Sequence, residues 1–192
     1  MSMNHTNTPS SIDKLQDAWQ LATVLHSGQT YGTPHKDKRI EYINHIGSVV
    51  FEVSNAFSHE NSRNEELGKL CAVLHDTIED TEATFELIRD RFGKEVAEGV
   101  LALTKNMELE SKEQQMIDSL ERIKLQPKEV WAVKLADRIC NLHAPPFYWT
   151  NEKKKAYIVE ARLIHSELKD GNQYLAERLL ERIERYKGFI TP

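Results

Sequence analysis

The stretch LGKLCAVLHDTIED, residues 67–80, decides how the rest of the chain is read. Leu67, Leu70, Cys71 and Leu74 recur at three and four positions, the spacing of one α-helical face, and the run then meets His75, Asp76, Glu79 and Asp80. An apolar helix that ends in a histidine and three acids, with no cation among them, needs a positive charge from elsewhere.

Outward from this stretch the same periodicity continues in both directions. Glycine and proline are scarce, at 8 and 6 residues, and no convincing alternating strand pattern is found. Before the stretch, helices are predicted over about Ser11–His26, with Ile12, Leu15, Trp19, Ala22 and Leu25 on one face and Gly28 closing it, and over about Tyr42–Phe57. The stretch itself reads as a helix from about Asn64 or Glu65 to Thr77, with Glu79 and Asp80 in the following turn. After it come Thr84–Phe92, stopped by Gly93, then KEVAEGVLALTK, SKEQQMIDSLERIKL and PKEVWAVKLADRICNLH, the last with Pro127 at its first position. Asn151–Leu168 and Asn172–Tyr186 complete the set, and SGQTYGTPHKDKR (27–39) and APPFYWT (144–150) read as loops. The expected fold is all-α: one compact bundle of eight to nine helices over residues 11–190, preceded by a disordered tail over 1–10.

Composition bounds the function. A chain of 192 residues with 40% hydrophobic content can bury a full core in one domain, being somewhat above the roughly 100–150-residue mode. The 25 basic and 30 acidic residues are interleaved and give a net charge of −5, which argues against nucleic acid as a partner but leaves room for a local pocket for a small anion. Cys71 and Cys140 form no CxxC pair and sit in apolar helical runs, as buried thiols of a reduced cytoplasmic protein would. No window approaches the roughly 20 apolar residues of a membrane span, so no membrane association is expected.

His75 and Asp76 are adjacent and so point about 100° apart on a helix; an ion at a helix end could receive both. Imidazole with carboxylate suits manganese, iron or zinc, and two ligands are too few to hold one. Two other polar residues interrupt apolar faces: His45 in EYINHIGSVV and Asp137 in VWAVKLADRICNL. Each has an ordinary explanation, His45 as a core histidine bonded to backbone and Asp137 as a carboxylate neutralised by Lys134 or Arg138. Glu79 and Asp80 could equally be a favourable acidic entry to the next helix.

Taken together, YINH (42–45), LHDTIEDT (74–81), FG-x-x-V (92–96), LTK (103–105) and VKLADRICNL (133–142) resemble, in order and spacing, the RelA/SpoT-type HD hydrolases. EKKKAYIVEARLIHSELKDGNQYLAERL resembles the C-terminal helices of the stand-alone small alarmone hydrolases, which lack a synthetase domain. The resemblance implies that His45, His75, Asp76 and Asp137 bind one divalent ion, Mn²⁺ in this family, and that Glu79 and Asp80 are the catalytic acids beside the metal's water. It implies cleavage of the 3′-pyrophosphate of guanosine tetra- or pentaphosphate, with Asn141, Lys153 and Tyr157 at the nucleotide; a monomer or weak homo-oligomer is expected.

Two departures bear on these expectations. Tyr31 and Gly32 stand where the family has Arg-Lys, so a tyrosine is expected to stack on the base and adenosine-based alarmones become plausible substrates. Ile46 stands where the family has proline. The loop cations His35, Lys36, Lys38 and Arg39 either replace the missing charges at the phosphates or face solvent. His26 is expected only to end the first helix, and His143 to be structural. The same fold acting on another nucleotide such as NADPH, and a non-catalytic helical regulatory module, are the competing readings.

Overall fold

The computed structural model of the protein describes residues 10–191; most of the tail expected over 1–10 lies outside the described residues. The chain runs α1 (Ser11–Leu25), β1 (Thr30–Gly32), β2 (Arg39–Glu41), α2 (Ile43–His59), α3 (Glu65–Leu74), α4 (Thr77–Asp80) and α5 (Phe85–Phe92). It continues through α6 (Lys94–Leu103), α7 (Lys112–Lys124), α8 (Lys128–Asn141), α9 (Asn151–Leu168) and α10 (Gln173–Tyr186), with 3₁₀ turns at Lys169–Gly171 and Lys187–Phe189. The all-α expectation holds.

Local chemistry sets the boundaries. Ser10 and Asp13 form a capping box at α1, and Ser111 and Gln114 form another at α7. Gly28, at φ 77°, turns the chain after α1, and Gly93, at φ 94°, separates α5 from α6. The start of α3 is capped twice: Asn64 accepts from Leu67 N, and Glu129 of α8 accepts from the backbone N–H groups of Arg63 and Asn64, each at 3.0 Å.

α8 is the centre of the bundle. It packs against α2, α3, α7, α9 and α10, and it buries Val130, Ala132, Val133, Leu135, Ala136, Ile139 and Cys140 together with the charged Lys134, Asp137 and Arg138. Gly99 lets α6 come close: a Cβ there would stand 2.8 Å from the Cys71 Sγ and 3.0 Å from a Val130 methyl.

The structure corrects two expectations. The segment expected to be a plain loop contains an antiparallel hairpin, Thr30 opposite Glu41, Tyr31 opposite Ile40 and Gly32 opposite Arg39. Three-residue strands in TYG and RIE leave no room for a visible alternation, so sequence periodicity could not show them. The helix through residue 74 stops earlier than Thr77, and Glu79 and Asp80 lie on their own single turn, α4, rather than in a turn region. Thr77 makes that break locally, its hydroxyl donating to the Leu74 carbonyl at 2.7 Å.

Candidate active site

The side chains of His45, His75, Asp76 and Asp137 meet where the first turn of α2, the α3–α4 break and the third turn of α8 converge. One ligand atom each from His45, His75 and Asp137 lie within 4.8 Å of one another. Asp76 joins them through Oδ2, 2.9 Å from His75 Nε2 and 3.7 Å from His45 Nε2, while Asp137 Oδ1 is 3.4 Å from His45 Nε2 and 4.0 Å from His75 Nε2. Ligand bonds of about 2.0–2.4 Å span gaps of up to about 4.8 Å between opposite ligand atoms, so the spacing suits one divalent ion.

The hydrogen bonds aim these atoms. His75 Nδ1 lies 2.9 Å from the Ala72 carbonyl, which can only accept, so Nδ1 carries a proton and Nε2 faces the cluster. There Nε2 is buried and has no well-directed hydrogen bond; at 2.9 Å, Asp76 Oδ2 offers it only another lone pair. A proton or a metal ion has to stand between them. Burial opposes a charge on His75, but the Asp76 and Asp137 carboxylates outweigh it and raise the imidazole pKa to about 9. Burial likewise acts to raise Asp76, yet His75 beside it holds the carboxyl well below the usual range. For Asp137 the opposing charge is chiefly Lys134, whose Nζ is 3.2 Å from Oδ2. A site that binds protons this strongly has the charge and the lone pairs to bind a cation in their place.

Of the two local partners considered for Asp137, Lys134 pairs with it, whereas Arg138 turns away to Glu160 at 3.0 Å. Asn141, one turn along α8, donates to Asp137 Oδ1 at 2.5 Å, and Tyr42 donates to Asp76 Oδ2 at 2.5 Å. Both bonds orient carboxylates in the way outer partners of metal sites do. Tyr42 was not singled out from the sequence, although it opens the YINH motif.

The acidic pair divides. Glu79 is held by Lys105 twice, by the backbone N–H at 2.9 Å and by Nζ at 2.5 Å. Lys105 is the basic residue of LTK, and sequence gave it no partner because the contact spans 26 positions. Asp80 reaches solvent, yet the protein around its carboxyl, with Asp76 and Glu79 nearby, raises its pKa above 3.8. Two neighbouring carboxyls in different surroundings, Glu79 paired with Lys105 and Asp80 raised in pKa, are the kind of arrangement acid–base chemistry uses.

A cleft of about 590 Å³ opens from His45, and Tyr31, Asn141, Lys153 and Tyr157 all line it. Its aromatic wall comprises Tyr31, Tyr42, Tyr148, Trp149 and Tyr157. Tyr31 and Tyr42 stand perpendicular to each other, and the Tyr31 hydroxyl accepts from Asn44 Nδ2 at 2.6 Å. Lys153 Nζ stands 4.2 Å from the centre of the Trp149 ring, which fixes a cation at the rim. Of the four hairpin cations, Arg39 lines the cleft, pinned by the Thr30 hydroxyl at 2.5 Å and the Thr30 carbonyl at 2.8 Å; His35, Lys36 and Lys38 are exposed and do not line it. His143, expected to be structural, also lies in the cleft wall. The loop 144–150 roofs the cleft: Phe147 N donates to the Thr33 carbonyl at 3.1 Å, and Tyr148 lies so close over Gly32 that a Cβ there would come within 2.9 Å of it.

Comparisons with known proteins agree with this architecture. Residues 18–174 match the model of the HD domain family. The chain is 30% identical over 181 residues to the guanosine-3′,5′-bis(diphosphate) 3′-pyrophosphohydrolase MESH1 of Drosophila melanogaster, covering 92% of this chain and 96% of that one. It is 33% identical over 178 residues to the protein of the same name from Danio rerio, covering 88% and 92%. A solved structure described as a metazoan ortholog of SpoT that hydrolyses ppGpp superposes with a TM-score of 0.75 at 30% identity, covering 96% of this chain and 99% of that one. The chain therefore belongs to the HD domain family, and within it is similar to the MESH1 proteins over nearly their whole length.

Proposed function

We propose that the protein is a metal-dependent 3′-pyrophosphohydrolase of alarmone nucleotides, releasing pyrophosphate and the nucleoside 5′-di- or triphosphate. The observation that carries this reading is the convergence of His45, His75, Asp76 and Asp137 at the end of a cleft whose wall is aromatic and whose rim is cationic. His45, His75, Asp76 and Asp137 would hold one divalent ion, Mn²⁺ by family resemblance. Such an ion supplies Lewis acidity at phosphorus and lowers the pKa of water.

The chain's own residues do the rest. Lys105 fixes Glu79 as a charged acceptor for one proton of the attacking water. Asp80, whose pKa is raised by burial and by the Asp76 and Glu79 charges, gives its carboxyl proton to the departing oxygen. Asn141 keeps Asp137 turned toward the cluster, and Lys153 and Arg39 meet phosphate charge at the rim. Tyr31 and Tyr157 stack on the base and sugar. Because Tyr31 offers no guanidinium fork, adenosine 3′-pyrophosphates are accepted alongside guanosine ones. On this reading the protein works in the cytoplasm as a monomer or weak homo-oligomer.

The test is to incubate the purified protein and Mn²⁺ with guanosine and adenosine 3′-pyrophosphates and NADPH, and to measure pyrophosphate against orthophosphate. Pyrophosphate release that disappears in His75→Ala is expected. Orthophosphate alone, as a nucleotide phosphatase would give, or no turnover, as a regulatory module would give, overturns the reading.

A further inference from the structure

α4 is a single turn, too short to hold its shape alone, yet it carries Glu79 and Asp80 and follows Asp76 directly. Two residues from outside grip the two ends of this segment. Tyr42 donates its hydroxyl to Asp76 Oδ2 at 2.5 Å, and Gln29 donates Nε2 to the backbone carbonyl of Asp80 at 2.8 Å. That carbonyl is one of those a helix leaves without a partner at its C-terminus. The two grips are joined, since Tyr42 N donates to the Gln29 carbonyl at 2.8 Å.

The orientation of the Gln29 amide follows from its surroundings. The Asp80 carbonyl only accepts, so the amide nitrogen faces it and Oε1 faces His26 Nδ1, 2.7 Å away. Nδ1 must then carry the proton. His26 is 2% exposed, and its Nε2 has no hydrogen-bond partner, so the contact with Gln29 is the one polar side-chain bond the ring makes among the described residues. Burying an imidazole with Nε2 unpaired carries a desolvation cost, and the bond to Gln29 is what offsets part of it.

We infer that Gln29, aimed by His26, is a positioning residue: with Tyr42 it clamps residues 76–80 at both ends and sets the separation between Asp76 and Asp80. This rests on the proposed role of Asp80 in proton transfer. The clamp places the acid, so its loss lowers turnover without weakening substrate or ion binding, whereas loss of the Tyr42 grip acts on Asp76.

Gln29→Met keeps the shape of the side chain and removes the donor. It is expected to lower kcat by tenfold or more, with KM and Mn²⁺ affinity within twofold of the parent and faster hydrogen exchange at the amides of residues 78–81. Tyr42→Phe is expected to weaken Mn²⁺ binding by about tenfold. His26→Leu should reproduce the Gln29→Met defect, and His26→Asn, which supplies an N–H where Nδ1–H stood, should recover most of it. A kcat within twofold of the parent in Gln29→Met, or equal defects in His26→Asn and His26→Leu, overturns the clamp. If the parent releases no pyrophosphate, the function falls, and the clamp is still decided by exchange at 78–81: unchanged exchange in Gln29→Met refutes it.

Discussion

Lys105 shows how much one residue outside the histidine–aspartate cluster controls. It holds Glu79 through both its backbone and its ammonium, and its charge also pulls down the raised pKa of Asp80. Lys105→Met is therefore expected to lower kcat by about tenfold to a hundredfold, at or below the lower end of what a general acid–base group itself contributes. The sign of the pH effect follows too. Asp80 already titrates above 3.8, and removing Lys105 takes away a charge that lowers it, so any limb of the pH–rate profile set by Asp80 should move to higher pH. A profile that stays in place would show that Lys105 acts only on Glu79. His45 and Asp137 were legible in sequence because a polar residue on an apolar face stands out against helical periodicity, and the fold puts both in one cluster. Lys105, Gln29 and Tyr42 were not, because nothing in their own neighbourhoods is anomalous and their partners lie 26, 51 and 34 positions away.

Among the elements, α3 depends on a cap it does not own. Glu129, 8% exposed, accepts from the Ser62 hydroxyl at 2.8 Å and from two backbone N–H groups at the α3 start. Burial acts to raise the pKa of its carboxyl, but these donors prevail and hold it below 4.5. A depressed carboxyl stabilises the fold above its unfolded value and loses that contribution as pH falls through the folded value. Glu129→Gln is accordingly expected to cost about 1–2 kcal/mol at pH 7, or roughly 2–8 °C in Tm, and the gap to the parent should close as the pH is lowered through and below 4.5. A gap independent of pH would assign the loss to packing. The long helices were readable because caps and periodicity are local. The hairpin and the break before α4 were hidden, since the first depends on pairing across a loop and the second on one threonine bonding back to Leu74.

At the scale of the molecule, two carboxylates and two imidazoles are packed at the heart of a bundle, around the helix that touches most of the others. An ion that binds this cluster and not the unfolded chain stabilises the fold by mass action, about 2.7 kcal/mol at a free concentration of one hundred times Kd. For a chain of this size that corresponds to roughly 5–11 °C in Tm, which chelation should remove and Mn²⁺ restore. His75→Ala, lacking a ligand, should show little of this difference; a shift of equal size in parent and variant would mean that the ion binds elsewhere.

The position of Asp137 late in the chain has a further consequence, for synthesis. His45, His75 and Asp76 leave the ribosome well before Asp137, and the helix that delivers Asp137 is the same one that closes the hydrophobic interior against α2, α3, α7, α9 and α10. A four-residue cluster spread this way cannot assemble on a nascent fragment that ends before α8. A product terminated before α8 would lack both Asp137 and the helix at the centre of the core.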